Sequence, residues 1–324
     1  MTRFIGGKLA QYGLVLFLTV TLNFLLPRAM PGSPLSFLAG EEVGTLTTQE
    51  RERLLREVGL DRPLHEQYVS YLGDLARGDL GYSYQRQRPI GEVLVERIPW
   101  TLLLTGLALL LSTGLGLVFG AIAAWRRGTR TDFASLAVFI FLESLPGFWL
   151  AMILIAVFAV ELRLLPTFGA RDLYAGLTGI AYWLDVARHL VLPVTTLTLI
   201  TVSATFLTMR ASMLAILGSE FVMVARGKGL SERAVVFRHA VPNAILPVAT
   251  VFLLNLGQAV AGATVIETVF SYPGVGRLMY EAVLARDYPM LQGGFLVITV
   301  SVLIGNMIAD LAYPILDPRV VRRD

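Results

Sequence analysis

Residues 101–124 read TLLLTGLALLLSTGLGLVFGAIAA, 24 residues without one charged side chain. Wound as an α-helix, the stretch is about 36 Å long, enough to cross a hydrocarbon core of roughly 30 Å. A helix satisfies its own backbone polar groups, which is the condition lipid imposes on any spanning segment. Outward from it, five more runs share this character, at roughly 9–27, 134–160, 190–209, 245–266 and 291–313. All 27 lysines and arginines lie outside the six. Of the 324 residues, 55% are hydrophobic and 16% charged, against about 25% charged in a soluble domain. The fold class expected is an all-α membrane protein with six transmembrane helices.

Arg3 and Lys8 before the apolar run Leu9–Leu26 imitate a signal peptide, but no small-residue cleavage site follows before Pro27-Arg28. The run reads as an uncleaved first helix. Charge asymmetry then sets the orientation. The N-terminus and the 125–133, 210–244 and 314–324 segments carry 13 basic residues, whereas the short loops 161–189 and 267–290 carry five. Both termini are therefore expected in the cytoplasm. The isoelectric point of 9.3 follows from this topology; its basic residues are dispersed between apolar runs, so no nucleic-acid partner is expected. The absence of cysteine excludes disulfides and thiolate metal sites, and three scattered histidines (His65, His189, His239) suggest no metal site.

The chain divides into a first helix (1–27), an outer segment (28–100), a five-helix core (101–313) and a short tail (314–324). In the outer segment, Thr47-Thr48-Gln49-Glu50 reads as a capping box, with Leu54, Leu55 and Val58 on one helical face. Pro63 can open a second helix with Leu64, Tyr68, Leu72 and Leu75 on its apolar side. The segment suits either a lid on the helix ends or a docking surface.

No phosphate-binding loop, nucleophile elbow or HExxH is present; Gly227-Lys228-Gly229 lacks the upstream glycine and following Ser/Thr of a phosphate cradle. The chain is not expected to be an enzyme. Its most informative cytoplasmic stretch is Glu220–Pro247, EFVMVARGKGLSERAVVFRHAVPNAILP. Ser231 or Gly229 can begin a short helix, Val235, Val236 and Phe237 supply its apolar residues, and Pro242 can stop it. By physics alone this is a basic amphipathic helix suited to lipid headgroups.

The same stretch, with Ala225-x-x-x-Gly229 followed 13 residues later by Pro242, resembles the cytoplasmic "EAA" loop of the membrane subunit of binding-protein-dependent ABC importers, in the dipeptide, oligopeptide and nickel permease group. Met223-Val224 stands where the generic loop has Glu-Ala. Similar family stretches are Gly59–Pro63, Gly78–Gly81, Pro146–Trp149, Glu267–Gly276, Arg286–Pro289 and Asp317–Arg319, so the resemblance spans nearly the whole chain. It implies a type I ABC importer transmembrane domain with an extracytoplasmic insertion after helix 1, set in a bacterial inner membrane. It implies as partners a second homologous permease, two ATPase subunits and an extracytoplasmic substrate-binding protein. ATP and Mg would be used by the ATPases, with no cofactor held by this chain. The implied ATPase-coupling residues are Ala225, Arg226, Lys228, Gly229, Leu230, Ser231, Phe237, His239 and Pro242, and the implied cargo is di- or oligopeptide. Nickel or another small solute on the same architecture is the alternative. An ion-gradient-driven secondary transporter is a third reading, which the loop argues against.

Candidate path-lining residues come from polar groups inside apolar runs. Glu143 is costly in lipid and marks either a path or a hydrogen-bonded packing position. Asp310, one turn after Asn306, reads as a structural group at a helix end. Thr198, Thr201, Thr205 and Thr208 recur at helical spacing; Thr201 and Thr205 are the path candidates, with packing as the alternative. Asn255 and Gln258, one turn before Gly262, are expected to face a cavity. Gly114, Gly116 and Gly120 are expected to let helices approach closely.

Overall fold

The computed structural model describes residues 2–29, 47, 49–50, 53, 56, 61–259 and 263–316. Its helices are α1 (Thr2–Ala29), α2 (Leu64–Ala76), α3 (Ile90–Trp125), α4 (Arg130–Ser144), α5 (Gly147–Glu161), α6 (Gly179–Leu217), α7 (Glu220–Gly227), α8 (Glu232–Ala244), α9 (Leu246–Gln258), α10 (Thr264–Val269), α11 (Val275–Leu284) and α12 (Tyr288–Leu316). A two-residue hairpin pairs β1 (Tyr82–Ser83) with β2 (Arg88–Pro89). Among the described residues, four helices are long and apolar enough to cross a membrane, and two bent pairs, α4–α5 and α8–α9, bring the number to six.

Packing fixes the direction of each crossing. Helices α3 and α6 run parallel: Leu104 and Ala108 share a core with Val186 and Leu190, while Ala121 and Ala124 meet Met209 and Met213. The return between them is α4–α5, antiparallel to α6. Asp132 pairs with Arg210, the Phe139 carbonyl accepts from Ser203 Oγ at 2.7 Å, and Gly147 lies beside Ile200. The straight span expected at 134–160 is instead broken by 100° between Ser144 and Gly147. Pro146, which lacks an N–H and disfavours helix in the residue before it, sits at the break; Leu145 is extended there (φ −79°, ψ 129°).

Helix α9 runs back along α3, from Ala244 and Val248 beside Ala121 to the Ala259 carbonyl, which accepts from Thr105 Oγ1 at 3.0 Å. Helix α12 starts beside the start of α3, where Gly293 abuts Ile90. It is antiparallel to α1: Asn23 Nδ2 donates to the Gln292 carbonyl (3.0 Å), and Lys8 Nζ reaches Asp310 at 2.9 Å, with Tyr12 also bonded to Asp310. The first and last helices therefore place their outer ends at one end of the bundle. That end also carries Arg126, Arg127, Arg130 and α7–α8, and is called the basic end.

Helices α3 and α6 are longer than their apolar runs. Their extra turns bury Ile90, Val93, Leu94 and Val186 against protein rather than lipid. The α3–α6 seam closes at Gly116 and Gly120, where a methyl group would meet Thr205 Cβ at 2.6 Å and the Phe206 carbonyl at 2.7 Å. Small residues give helices in lipid the van der Waals contact that holds them together. A Cβ built at Gly114 would meet no atom within 4 Å, so Gly114 does not share that role within this chain. The remaining outer elements gather at the end opposite the basic end. Phe24 packs on Tyr68 and Tyr71 of α2. The capping box forms, with Thr47 N donating to Glu50 Oε2 at 2.8 Å. Leu54, Leu55, Val58, Gly262 and Asp317–Arg319 lie outside the described residues.

Candidate functional site

At the basic end, α7 and α8 form a helical hairpin joined by Lys228–Ser231. Gly229 has φ +78°, the left-handed region that glycine enters without steric cost. No atom comes within 4 Å of a Cβ built there, so within this chain the turn's conformation, rather than close approach, demands glycine. Ser231 caps α8, its Oγ accepting from Ala234 N at 3.4 Å. Arg226 and Glu232 join the two limbs through contacts of 2.9 and 3.4 Å, making Arg226 a brace of the hairpin.

One face of the hairpin is seated on the bundle. Val222, Ala225 and Val235 form a small core with Ile216, so Ala225 is small because it is buried where the limbs meet. Val236, Ala240 and Ala244 pack on Ala121, Ala124, Met209 and Met213. The other face is open: Met223, Val224, Lys228, Leu230, Phe237 and Arg238 are exposed. His239 is half-buried, and Phe237 touches Trp125 edge-on at 6.1 Å between ring centres.

Pro242 does not end the helix, as the sequence led one to expect. The chain winds as a π-helix over Val235–Ala240, so Val241 N bonds back five residues to the Val236 carbonyl, and Pro242 falls in the first turn of Val241–Ala244. There its missing N–H costs little. Asn243 Nδ2 donates to the His239 carbonyl at 2.8 Å. The path then bends by 42° into α9, so hairpin and crossing are one continuous arm.

An ion pair between buried Asp132 and half-buried Arg210 ties this end together. Asp132 takes two bonds from Arg210, at 2.8 and 3.0 Å, and one from Gly128 N at 3.0 Å. Sequence reading missed it because partners 78 residues apart leave no periodic signal.

The path candidates separate. Thr205 is buried in the α3–α6 seam against Gly116, and Thr198, two turns earlier, is also buried. Thr201 is exposed, and its hydroxyl bonds back to the Leu197 carbonyl at 2.7 Å. Glu143, Asn255 and Gln258 are exposed on this protomer. The Gly116–Thr205, Phe139–Ser203 and Thr105–Ala259 contacts put Glu143, Thr201 and Asn255 at about the depth of Ser112 of α3. Gln258 lies a turn farther from the basic end.

At the opposite end, Glu267 organises the turn between α10 and α11. Its carboxylate is fully buried and accepts from Thr101 Oγ1 and Arg277 N, each at 2.9 Å. Thr101 Oγ1 also accepts from Val275 N at 2.7 Å. Gly274 and Gly276 leave the room this carboxylate occupies. Burial raises its pKa above the usual carboxylate value, and the hydrogen bonds offset only part of that rise.

Residues 116–322 match the family model of the binding-protein-dependent transport system inner membrane component, and residues 1–105 match the N-terminal model of such membrane components. The chain belongs to this family. The permease is 36% identical to the di/tripeptide transport system permease protein DppB of Pseudomonas aeruginosa, over 99% of each chain. It is 35% identical to the dipeptide transport system permease protein DppB of Escherichia coli K12, covering 96% of this chain and 97% of that one. It is 33% identical to the oligopeptide transport system permease protein AppB of Bacillus subtilis, covering 92% and 93%. The permease is thus a multi-pass inner-membrane component of an ABC importer, a transport subunit rather than an enzyme.

Proposed function

We propose that this chain forms half of the translocation path of an importer for di- and oligopeptides. It pairs with a second homologous permease, stands on two ATPase subunits that use ATP and Mg, and receives cargo from an extracytoplasmic binding protein. The basic end faces the cytoplasm, both termini with it, and the 28–100 segment, which carries α2 and the β1–β2 hairpin, is extracytoplasmic. The observation that carries this reading is the α7–α8 hairpin, with one face buried on the ends of α3 and α6 and an exposed face of Met223, Val224, Lys228, Leu230 and Phe237. Such a body gives a moving ATPase a handle, and its continuity with α9 passes displacement into a crossing. Chains of packed elements with two arrangements are the physical means of such coupling. Ala225, Arg226, Gly229, Ser231 and Pro242 shape the handle, while Lys228, Leu230 and Phe237 meet the ATPase, with His239 at its edge. Glu143, Thr201, Asn255 and Gln258 contribute the polar wall of the path, and Thr205 holds the seam behind it. The peptide assignment rests on the relatives' names. The test is uptake by proteoliposomes of the whole complex with its binding protein, given labelled dipeptide or Ni²⁺. Peptide uptake that stops when the ATPase subunits are omitted supports the reading. Uptake without them, or of Ni²⁺ alone, overturns it.

A further inference from the structure

At the basic end, a groove of about 280 Å³ opens between the last two turns of α3 and the wall of α8. Val118 and Ile122 form one side, Phe237 and Val241 the other, and Met209 of α6 the floor. Its lining is apolar throughout, save for the indole N–H of Trp125 at the mouth. Among the described residues that N–H has no hydrogen-bond partner. From Val118 to Trp125 the groove runs about 10 Å along the helix, which leaves a mean cross-section of roughly 30 Å². That width admits a hydrocarbon chain and is far too narrow for a partner's helix, about 10–12 Å across. The sequence sets its depth. The uncharged run 101–124 ends one residue before Trp125. The groove therefore spans the edge of the hydrocarbon layer, and Trp125 marks the headgroup boundary, where tryptophan is favoured. The rim is cationic. Arg126 N donates to the Ile122 carbonyl at 2.9 Å, which sets Arg126 one turn beyond Ile122 on the groove side of α3. Arg238 follows Phe237 on the opposite wall. Both arginines are exposed, and among the described residues neither pairs with a carboxylate. The acids nearest them in the chain are engaged, Asp132 by Arg210 at 2.8 Å and Glu232 by Arg226 at 2.9 Å.

We propose that an anionic phospholipid of the cytoplasmic leaflet binds here, with an acyl chain in the groove and its phosphate on Arg126 and Arg238. The choice of leaflet rests on the importer reading above. Lipid tails are as apolar as the groove walls, so the chain gains only packing contacts, and the selectivity comes from the headgroup. Basic groups beside a pocket between helices at the cytoplasmic surface attract anionic headgroups. The Trp125 N–H supplies a donor for an ester or phosphate oxygen at the same level. A chain seated there fills the space between α3 and α8, so the lipid steadies the hairpin on the bundle.

The experiment places the complete complex in phosphatidylcholine nanodiscs doped with a phosphatidylglycerol whose acyl chain carries a diazirine. After irradiation, mass spectrometry reads the labelled peptides of this chain for wild type, R126Q and R126K. The expected result is labelling within 117–125 and 236–245 that excess phosphatidylglycerol competes away and phosphatidylcholine does not. It falls about fivefold in R126Q, the factor for one cation at an anionic headgroup, and stays near wild type in R126K. Co-purification of the R126Q chain with its partner subunits shows that the variant is folded. Wild type labelled on the outward face of α1 but not in the groove overturns the site. So does groove labelling that a phosphatidylcholine probe matches and R126Q leaves unchanged, which reduces it to ordinary lipid contact. Labelling seen only in permease stripped of its partner subunits also overturns it, and assigns the groove to a protein contact. A wild-type chain that binds no ATPase subunits counts against the importer reading, while its labelling still decides the lipid site.

Discussion

Gly229 and Glu267 show how one residue sets the shape of a turn. Any side chain at Gly229 must adopt φ +78°, a strain of about 1–2 kcal/mol, in a turn with open space around it. Gly229→Ala is therefore expected to insert and assemble with weakened coupling, while Gly229→Glu abolishes ATP-coupled uptake without loss of membrane insertion. Wild-type uptake by Gly229→Glu would count against the coupling role. At the other end, Glu267→Ala strands Thr101 and the Arg277 amide and is expected to cost on the order of 2–3 kcal/mol, read as a lowered melting temperature in detergent; Glu267→Gln retains most of the stability. Because the folded carboxyl titrates above its reference value of 4.5, the native state binds the extra proton between the two pKa values. Its contribution is full below about pH 4.5 and declines as pH rises through the folded pKa. The difference in melting temperature between wild type and Glu267→Gln should follow that decline; a pH-independent difference would refute the assignment.

At the scale of elements, the parallel pair α3 and α6 is the spine, and α4–α5 and α8–α9 are bent arms laid along it. The arm α4 is anchored by Asp132, whose side chain is 3% exposed against 20% for Arg210. Removing one partner of a buried pair strands the other charge. Asp132→Ala is expected to destabilise the bundle by about 3 kcal/mol, and replacing both residues by apolar ones of similar size should recover much of that loss. A single variant as stable as wild type would show that the pair does not hold α4. Helix existence was legible from uncharged runs such as 101–124, because lipid demands an apolar length. The breaks were not legible. Pro146 and Pro242 look alike in sequence, yet one coincides with a 100° turn while the other sits harmlessly in a first turn after a π-helical segment. Tertiary packing decides which prolines bend a chain.

For the whole molecule, alternating directions of six crossings put the α1 start and the α12 end with the hairpin. The chain has no cysteine, so single cysteines report sidedness on a clean background. Tyr174→Cys is expected to react with a membrane-impermeant maleimide in cells whose outer membrane alone is permeabilised, and Met223→Cys only after the inner membrane is opened. The reverse pattern would invert the orientation proposed. By itself, the sequence determined the solvent, the number of crossings and the sidedness expected from its arginines, because these depend on composition along a line. Its resemblance to a family loop also marked Ala225, Gly229 and Pro242. Only the tertiary structure decided where each sits. Ala225 is buried between two limbs, Thr205 fills a seam while Thr201 stays open, and Asp132 meets Arg210. Arg163 and Arg171 of the α5–α6 loop and Arg188 of α6 also line one cleft. Such relations are set by which helix faces meet when side chains interlock, and no local pattern encodes them.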